Sequence, residues 1–205
     1  MSKPARTQAL LRTHKADGYV LTVQKRLLPQ TSGTTSLELM LPLDEAPVPQ
    51  RRYHADIAQV SLDNGSGVRL LFGQKRVGGK GLRSLIVVNM TPEGVRGFLH
   101  SCEEFAPLLL KFLERNGIPT TPLFEVDDEP EQTVSLVVNL VAAAQAGREV
   151  VLDMYHMSAW SLREVRERGE VAVDPVVRVD LSAALAAAVL VELHKVQGSL
   201  PEDVR

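Results

Sequence analysis

The segment Gly73-Gln74-Lys75-Arg76-Val77-Gly78-Gly79-Lys80-Gly81 has the residue types of a phosphate cradle, with glycines to let the backbone approach an anion and lysines to meet its charge. The spacing departs from a phosphate loop at two chemical positions. Gly79 stands where the phosphate-contacting lysine belongs, and no magnesium-binding Ser or Thr follows it. A strand pattern rather than a helix follows. The segment therefore reads as a solvated basic hairpin loop, with Lys75, Arg76, Lys80 and Arg83 as candidate anion-binding residues. Toward nucleic acid these would touch phosphates and read no base sequence.

His100, Cys102, Glu103 and Glu104 include metal-ligand types, yet on a helix His100 and Cys102 point about 200° apart, whereas ligands on one face need spacing of three or four. His100 with Glu103 or Glu104 has usable spacing and reads first as an exposed polar helix face. Asp153, His156 and Ser158 are close in sequence, but no Gly-x-Ser-x-Gly and no Cys beside an evident histidine partner is present. No catalytic, metal or cofactor residue is assigned, and the expectation is a protein that is not an enzyme.

Positioning these residues falls to strands and capped helices. Tyr19, Leu21 and Val23 alternate with Val20, Thr22 and Gln24 as in a strand, and a second short strand is expected near Leu37–Leu41. Pro42, Pro47 and Pro49 mark an extended connection. From Arg52 to Leu62 the strand pattern resumes, and Asp63-Asn64-Gly65-Ser66-Gly67 is a hairpin turn leading to Val68–Phe72, with a third strand at Leu82–Met90. Thr91-Pro92-Glu93 spells a helix start: an N-cap hydroxyl, a proline where no N–H is needed, and an acid at the positive end of the dipole. Val95, Phe98, Leu99, Cys102, Phe105 and Ala106 then form one apolar face, and Pro107 either kinks this helix or starts another that Asn116-Gly117 ends.

Pro119–Gln132 is acidic and proline-containing and reads as a connection. Beyond it, a helix is expected over about 131–146, apolar around most of its circumference through Val134, Leu136, Val137, Val138, Leu140 and Val141. A strand at Glu149–Met154, a charged helix at Ser158–Arg168 around Trp160, a strand at Pro175–Leu181 and an Ala-rich helix capped by Ser182 complete the chain. Ile86-Val87-Val88-Asn89-Met90-Thr91 before one helix is echoed by Val177-Arg178-Val179-Asp180-Leu181-Ser182 before another, as though one scaffold were used twice. The reading is an α+β fold of antiparallel sheets with packed helices in two related halves. Its divisions are a basic arm over 1–17, a short helix or loose segment, a meander plus long helix over 18–118, the connection at 119–132, and a second α/β half over 133–205.

The totals narrow the function classes. The 205 residues are 44% hydrophobic but only 4% aromatic, so an aliphatic core is expected. A formal charge of −2 disfavours a general nucleic-acid binder. The lone Cys102 denies an internal disulfide and fits a reducing compartment, with the cytoplasm as the expected location. No run reaches the roughly 20 apolar residues of a membrane helix, so no membrane partner is expected.

Tyr53, Val60-Ser61, Leu70 to Gly73 with its Phe-Gly, and Val88 to Glu93 with its Met-Thr-Pro-Glu resemble a family of small bacterial domains of unknown function. In that family a three-stranded stretch precedes a long amphipathic helix, and the likeness spans about residues 52–117. Family members usually follow the helix start with His-Ala-Lys, where this chain has Gly94-Val95-Arg96, and the Pro107 interruption also departs from their pattern. The resemblance implies a compact oligomer-forming or partner-binding domain and transfers no site. A looser likeness, in element order alone, is to the tetrameric export chaperones of bacteria. The expected function is a noncatalytic, homo-oligomeric protein-binding or scaffold protein of chaperone-like character. Leu109, Leu113, Val134, Val137, Leu140, Val141, Tyr155 and Trp160 are the expected partner interface. The alternative is a nucleic-acid or anion-binding accessory factor using the N-terminal arm and the basic loop.

Overall fold

Residues 12–14, 18–22, 24–29, 35–40, 46–63, 67–75, 82–120, 123, 134–158 and 169–200 are described by the structure, a computed structural model. The fold is α+β, and its contacts divide it into one unit of residues 1–48 with 157–175 and a second of 49–156 with 176–205. The acidic connection expected at 119–132, most of which lies outside the described residues, falls within the second unit. Long-range strand pairing decides this, because the strands on either side of the connection belong to one ladder.

In the first unit, β1 (Arg12–His14) pairs antiparallel with β2 (Gly18–Thr22), and β3 (Gln24–Pro29) with β4 (Thr35–Met40). Residues 170–173, the start of a later strand, pair with β2. The basic segment before Asp17 thus contains a short strand at 12–14 where a helix or loose arm was expected; residues 1–11 lie outside the described residues.

The second unit carries the larger core. A strand runs through β5 (Arg52–Ala55) and, after Asp56, β6 (Ile57–Asp63), and is followed by β7 (Gly67–Lys75) and β8 (Leu82–Met90). Asp63 faces Gly67 where β6 and β7 pair, and the turn residues expected at 64–66 lie outside the described residues. Thr91 Oγ1 accepts a hydrogen bond from the Gly94 N–H at 3.1 Å and opens α1 (Pro92–Ser101) with Pro92 in its first turn. The helix then stops. α2 (Phe105–Arg115) holds Pro107 in its first turn, so the proline begins a second helix rather than kinking a long one. At its far end Gly117, with φ of +59°, lets Ile118 N–H reach the Leu113 carbonyl and Gly117 N–H the Glu114 carbonyl, which closes the last turn.

Where one helix was expected over about 131–146, there are two strands, β9 (Val134–Val138) and β10 (Leu140–Ala146), broken at Asn139. Apolar residues all round suit a strand placed in a sheet as well as a buried helix, and four β-branched valines within residues 134–141 favour the extended backbone. Gly147, with φ of +62°, makes the tight turn to β11 (Glu149–His156). β12 (Glu170–Ser182) is longer than the expected strand at 175–181, and Ser182 Oγ accepts from Leu185 N–H at 3.2 Å to open α3 (Ala183–Gln197). The charged helix expected at 158–168 lies almost wholly outside the described residues.

Two four-stranded sheets result. One has the order β6-β7-β8-β9; in the other β10, β11, β12 and β5 are successive neighbours. β6–β7, β7–β8 and β10–β11 pair antiparallel, whereas β9 joins β8 and β5 joins β12 in parallel. The two halves therefore share one order of four strands and a helix, and the first strand of each lies beside the last strand of the other. The correspondence reaches single hydrogen bonds: Asp56 N–H donates to the Gly73 carbonyl as Asn139 N–H donates to the Tyr155 carbonyl. The helices are exchanged as well, with α1 packing on β10, α3 on β6, and α1 against α3.

The core between them is aliphatic, built from Val68, Leu70, Ile86, Val88, Val150, Leu152, Val177, Val179 and Leu181, with Phe72 and Phe98 as its buried aromatics. Each such side chain removed from water contributes roughly 1.5–3 kcal/mol. α3 is enclosed on every side over residues 183–190, and its alanines leave room for neighbours that larger side chains would push away.

Candidate functional site

In β12 the alternation of a strand sends Val177, Val179 and Leu181 into the core and Arg178 and Asp180 to the opposite face. Asp180 is 5% exposed, the buried charged residue of the described chain. Arg52 on β5 donates through Nε to Asp180 Oδ2 at 2.5 Å, while Oδ1 is buried with no hydrogen-bond partner. Next to this pair, Arg178 makes a two-pronged contact with Asp153 of β11, Nε to Oδ1 and Nη2 to Oδ2, both 2.6 Å. The Asp180 hydrogen bond and charge hold the Arg52 guanidinium above its ordinary pKa, and Asp153 does the same for Arg178. Burial, assisted by the Asp153 charge, pushes the Tyr155 hydroxyl up to about 12. Each carboxylate is thus matched to a guanidinium, an arrangement that ties β5, β11 and β12 together.

At the equivalent place in the other half the chemistry is neutral. Asn89 on β8 donates through Nδ2 to Ser135 Oγ on β9 at 2.7 Å. The registers match: Asn89 lies one residue before Met90, which faces Val138, and Asp180 one residue before Leu181, which faces Ala55. These cross-half pairs escaped sequence reasoning. The echo of Asn89 and Asp180 within the repeated segments was their visible signal, but the partners 46 and 128 residues away were not.

The residues singled out from the sequence are dispersed. His100 Nδ1, exposed at the end of α1, and Glu103 Oε1, exposed in the turn that follows, lie 3.1 Å apart, and Cys102 is buried at the end of α1, its thiol pushed up to about 11 by burial. Asp153 and His156 fall on opposite faces of β11, which separates them as chemical partners. Lys75 and Arg83 are exposed where β7 and β8 diverge into the basic loop, Gln74 facing Arg83 and Lys75 facing Leu82. Arg76 and Lys80 lie outside the described residues, as does Trp160.

Of the expected interface, Leu109, Leu113, Val141 and Tyr155 are buried within the folded chain, so they are unavailable to a partner. Leu140 is half-buried. Val134 and Val137 are exposed by 46% and 56% on β9, the last strand of its sheet. Leu108 and Leu110, in the same apolar stretch as Leu109 and Leu113, are exposed by 63% and 46% on α2. Consecutive leucines advance 100° each around a helix, so burial of Leu109 turns its neighbours outward.

No helix among the described residues is long and apolar enough to cross a membrane. No family model, curated protein or solved structure matches the chain.

Proposed function

We propose that this chain is a noncatalytic, protein-binding scaffold that assembles with a second copy along β9. The observation that carries this reading is the exposure of Val134 and Val137 on a terminal strand of the sheet. An edge strand offers main-chain donors and acceptors to another strand, and exposed apolar side chains add contact area on both of its faces. The sequence Val134-Ser135-Leu136-Val137-Val138 is uncharged, so two copies can lie edge to edge about a two-fold axis with no like charges opposed. The corresponding strand of the other half carries Arg52, which is already engaged with Asp180. Leu108 and Leu110 on α2 add apolar surface of the kind a chaperone-like scaffold presents to a protein segment.

Light scattering across a concentration series tests the reading, together with binding of an apolar dye. Association and dye binding are expected for the wild type, and V134K/V137K should weaken both while its urea midpoint stays close to that of the parent. A wild-type monomer that binds no dye would remove the basis for the proposal. The basic loop supports a secondary reading as an anion contact, since Lys75 and Arg83 both reach solvent there; a gel shift at low salt, lost on charge reversal of these two, is its test.

A further inference from the structure

We infer that the ionic pair Arg52–Asp180 and the neutral pair Asn89–Ser135 act as addresses that make each half of the second unit a partner for the other half and a poor partner for its own kind in a second copy. The two halves have the same element order, and each completes its sheet with the other's first strand. Any chain built this way has an alternative. First halves of two copies could exchange strands, β5 of one beside β8 of the other, and second halves could do the same through β9 and β12.

The backbone cannot choose between these arrangements, because the parallel ladders are equivalent in register and the flanking bends at Asp56 and Asn139 make the same hydrogen bond. The polar pairs can choose. Exchange between second halves would set Ser135 against Asp180, leaving a buried carboxylate whose Oδ1 already has no partner without its guanidinium as well. Exchange between first halves would set Arg52 against Asn89, with no carboxylate to receive it; Arg52 is largely exposed, so the cost of such an exchange falls on the buried Asp180 that it leaves without Arg52. A charge buried without its counter-charge is among the costliest errors a fold can contain, whereas replacing both members of a pair is often tolerated. A polar or charged pair that discriminates between otherwise similar partners is a means of specifying assembly. The inference is independent of association along β9, since it concerns strands exchanged inside the fold.

Two full-length variants erase the difference between the addresses. R52S/D180N makes both pairs neutral, and N89D/S135R makes both ionic while leaving no charge alone. Each is unfolded in denaturant, refolded over a concentration series, and weighed by light scattering beside native and refolded wild type. Refolded wild type is expected to return to its native mass. Both variants should yield a species of at least twice that mass, its fraction rising with the concentration at refolding. Native mass for both variants at every concentration would overturn the assignment. So would a failure of both to fold, since the pairs would then hold the structure together without selecting partners. If only one variant folds, its mass decides. A monomeric wild type would count against association along β9 and leave this test intact.

Discussion

Gly94 and Gly97 lie on the same helix, and replacing each by alanine should give results of opposite sign. A Cβ added at Gly94 would sit 2.9 Å from Asn139 Cα, 3.2 Å from its carbonyl oxygen and 3.4 Å from its carbonyl carbon, all backbone atoms at the bend between β9 and β10. A Cβ at Gly97 meets nothing within 4 Å. Alanine is favoured over glycine inside a helix by about 0.8–1.0 kcal/mol, so G97A should stabilise the protein by up to about that amount. At Gly94 a smaller gain applies, because the residue lies in the first turn. It is opposed by overpacking of typically about 1–3 kcal/mol, which leaves a net loss of about 1 kcal/mol. The backbone at Asn139 cannot swing aside as a side chain would. Its N–H is tied to the Tyr155 carbonyl, so relief requires a shift of α1 off the sheet. The two variants should therefore differ by about 2 kcal/mol, or roughly 4–8 °C in melting temperature for a chain of this size. Urea unfolding followed by circular dichroism measures the difference, with equal slopes confirming that the change is in stability. If G94A matches G97A, the close seating of α1 on the β9–β10 bend is refuted.

Alkaline pH should destabilise the fold in two stages. Cys102 ionises near 9.0 when unfolded but about 11 in the fold, and Tyr155 near 10.0 against about 12, in both cases chiefly through burial. Between each pair of values the folded state keeps a proton that the unfolded state has lost, so stability falls as pH rises. Urea midpoints should drop from about pH 9 and more steeply above about pH 10, and Y155F should remove the second stage. Native Cys102 should also resist a thiol reagent at pH 8 and react once urea is added. On α2, Leu109 is fully buried and L109A should cost about 2–5 kcal/mol, whereas L108A, at an exposed position, should stay within about 0.5 kcal/mol of wild type by the same unfolding assay.

Local chemistry was legible wherever it acts within a few residues. The caps at Thr91 and Ser182, the glycine stop at Gly117, and the pairing of β6 with β7 from Asp63 and Gly67 onward all depend on side chains and dihedrals close in the chain. So did the echo of 86–91 in 177–182, which became two halves of the same order. The segment 134–146 was misread as a helix because an apolar run does not say whether its neighbours lie one turn away or across a ladder. Its partners are Ile86 through Met90 for β9 and β11 for β10, and the parallel pairing with β8 reaches back across the acidic connection.

The amino-acid order by itself settled where α1 and α3 begin, where α2 stops and that β6, β7 and β8 extend, because those choices are made by backbone dihedrals, missing donors and capping groups within a few residues. Only the tertiary structure decided that each half takes its fourth strand from the other, that Asp180 is buried against Arg52, and that Leu109 is enclosed while Leu108 and Val137 meet solvent. Those outcomes depend on contacts between residues tens to more than a hundred positions apart, whose energies exist only once the chain has closed on itself.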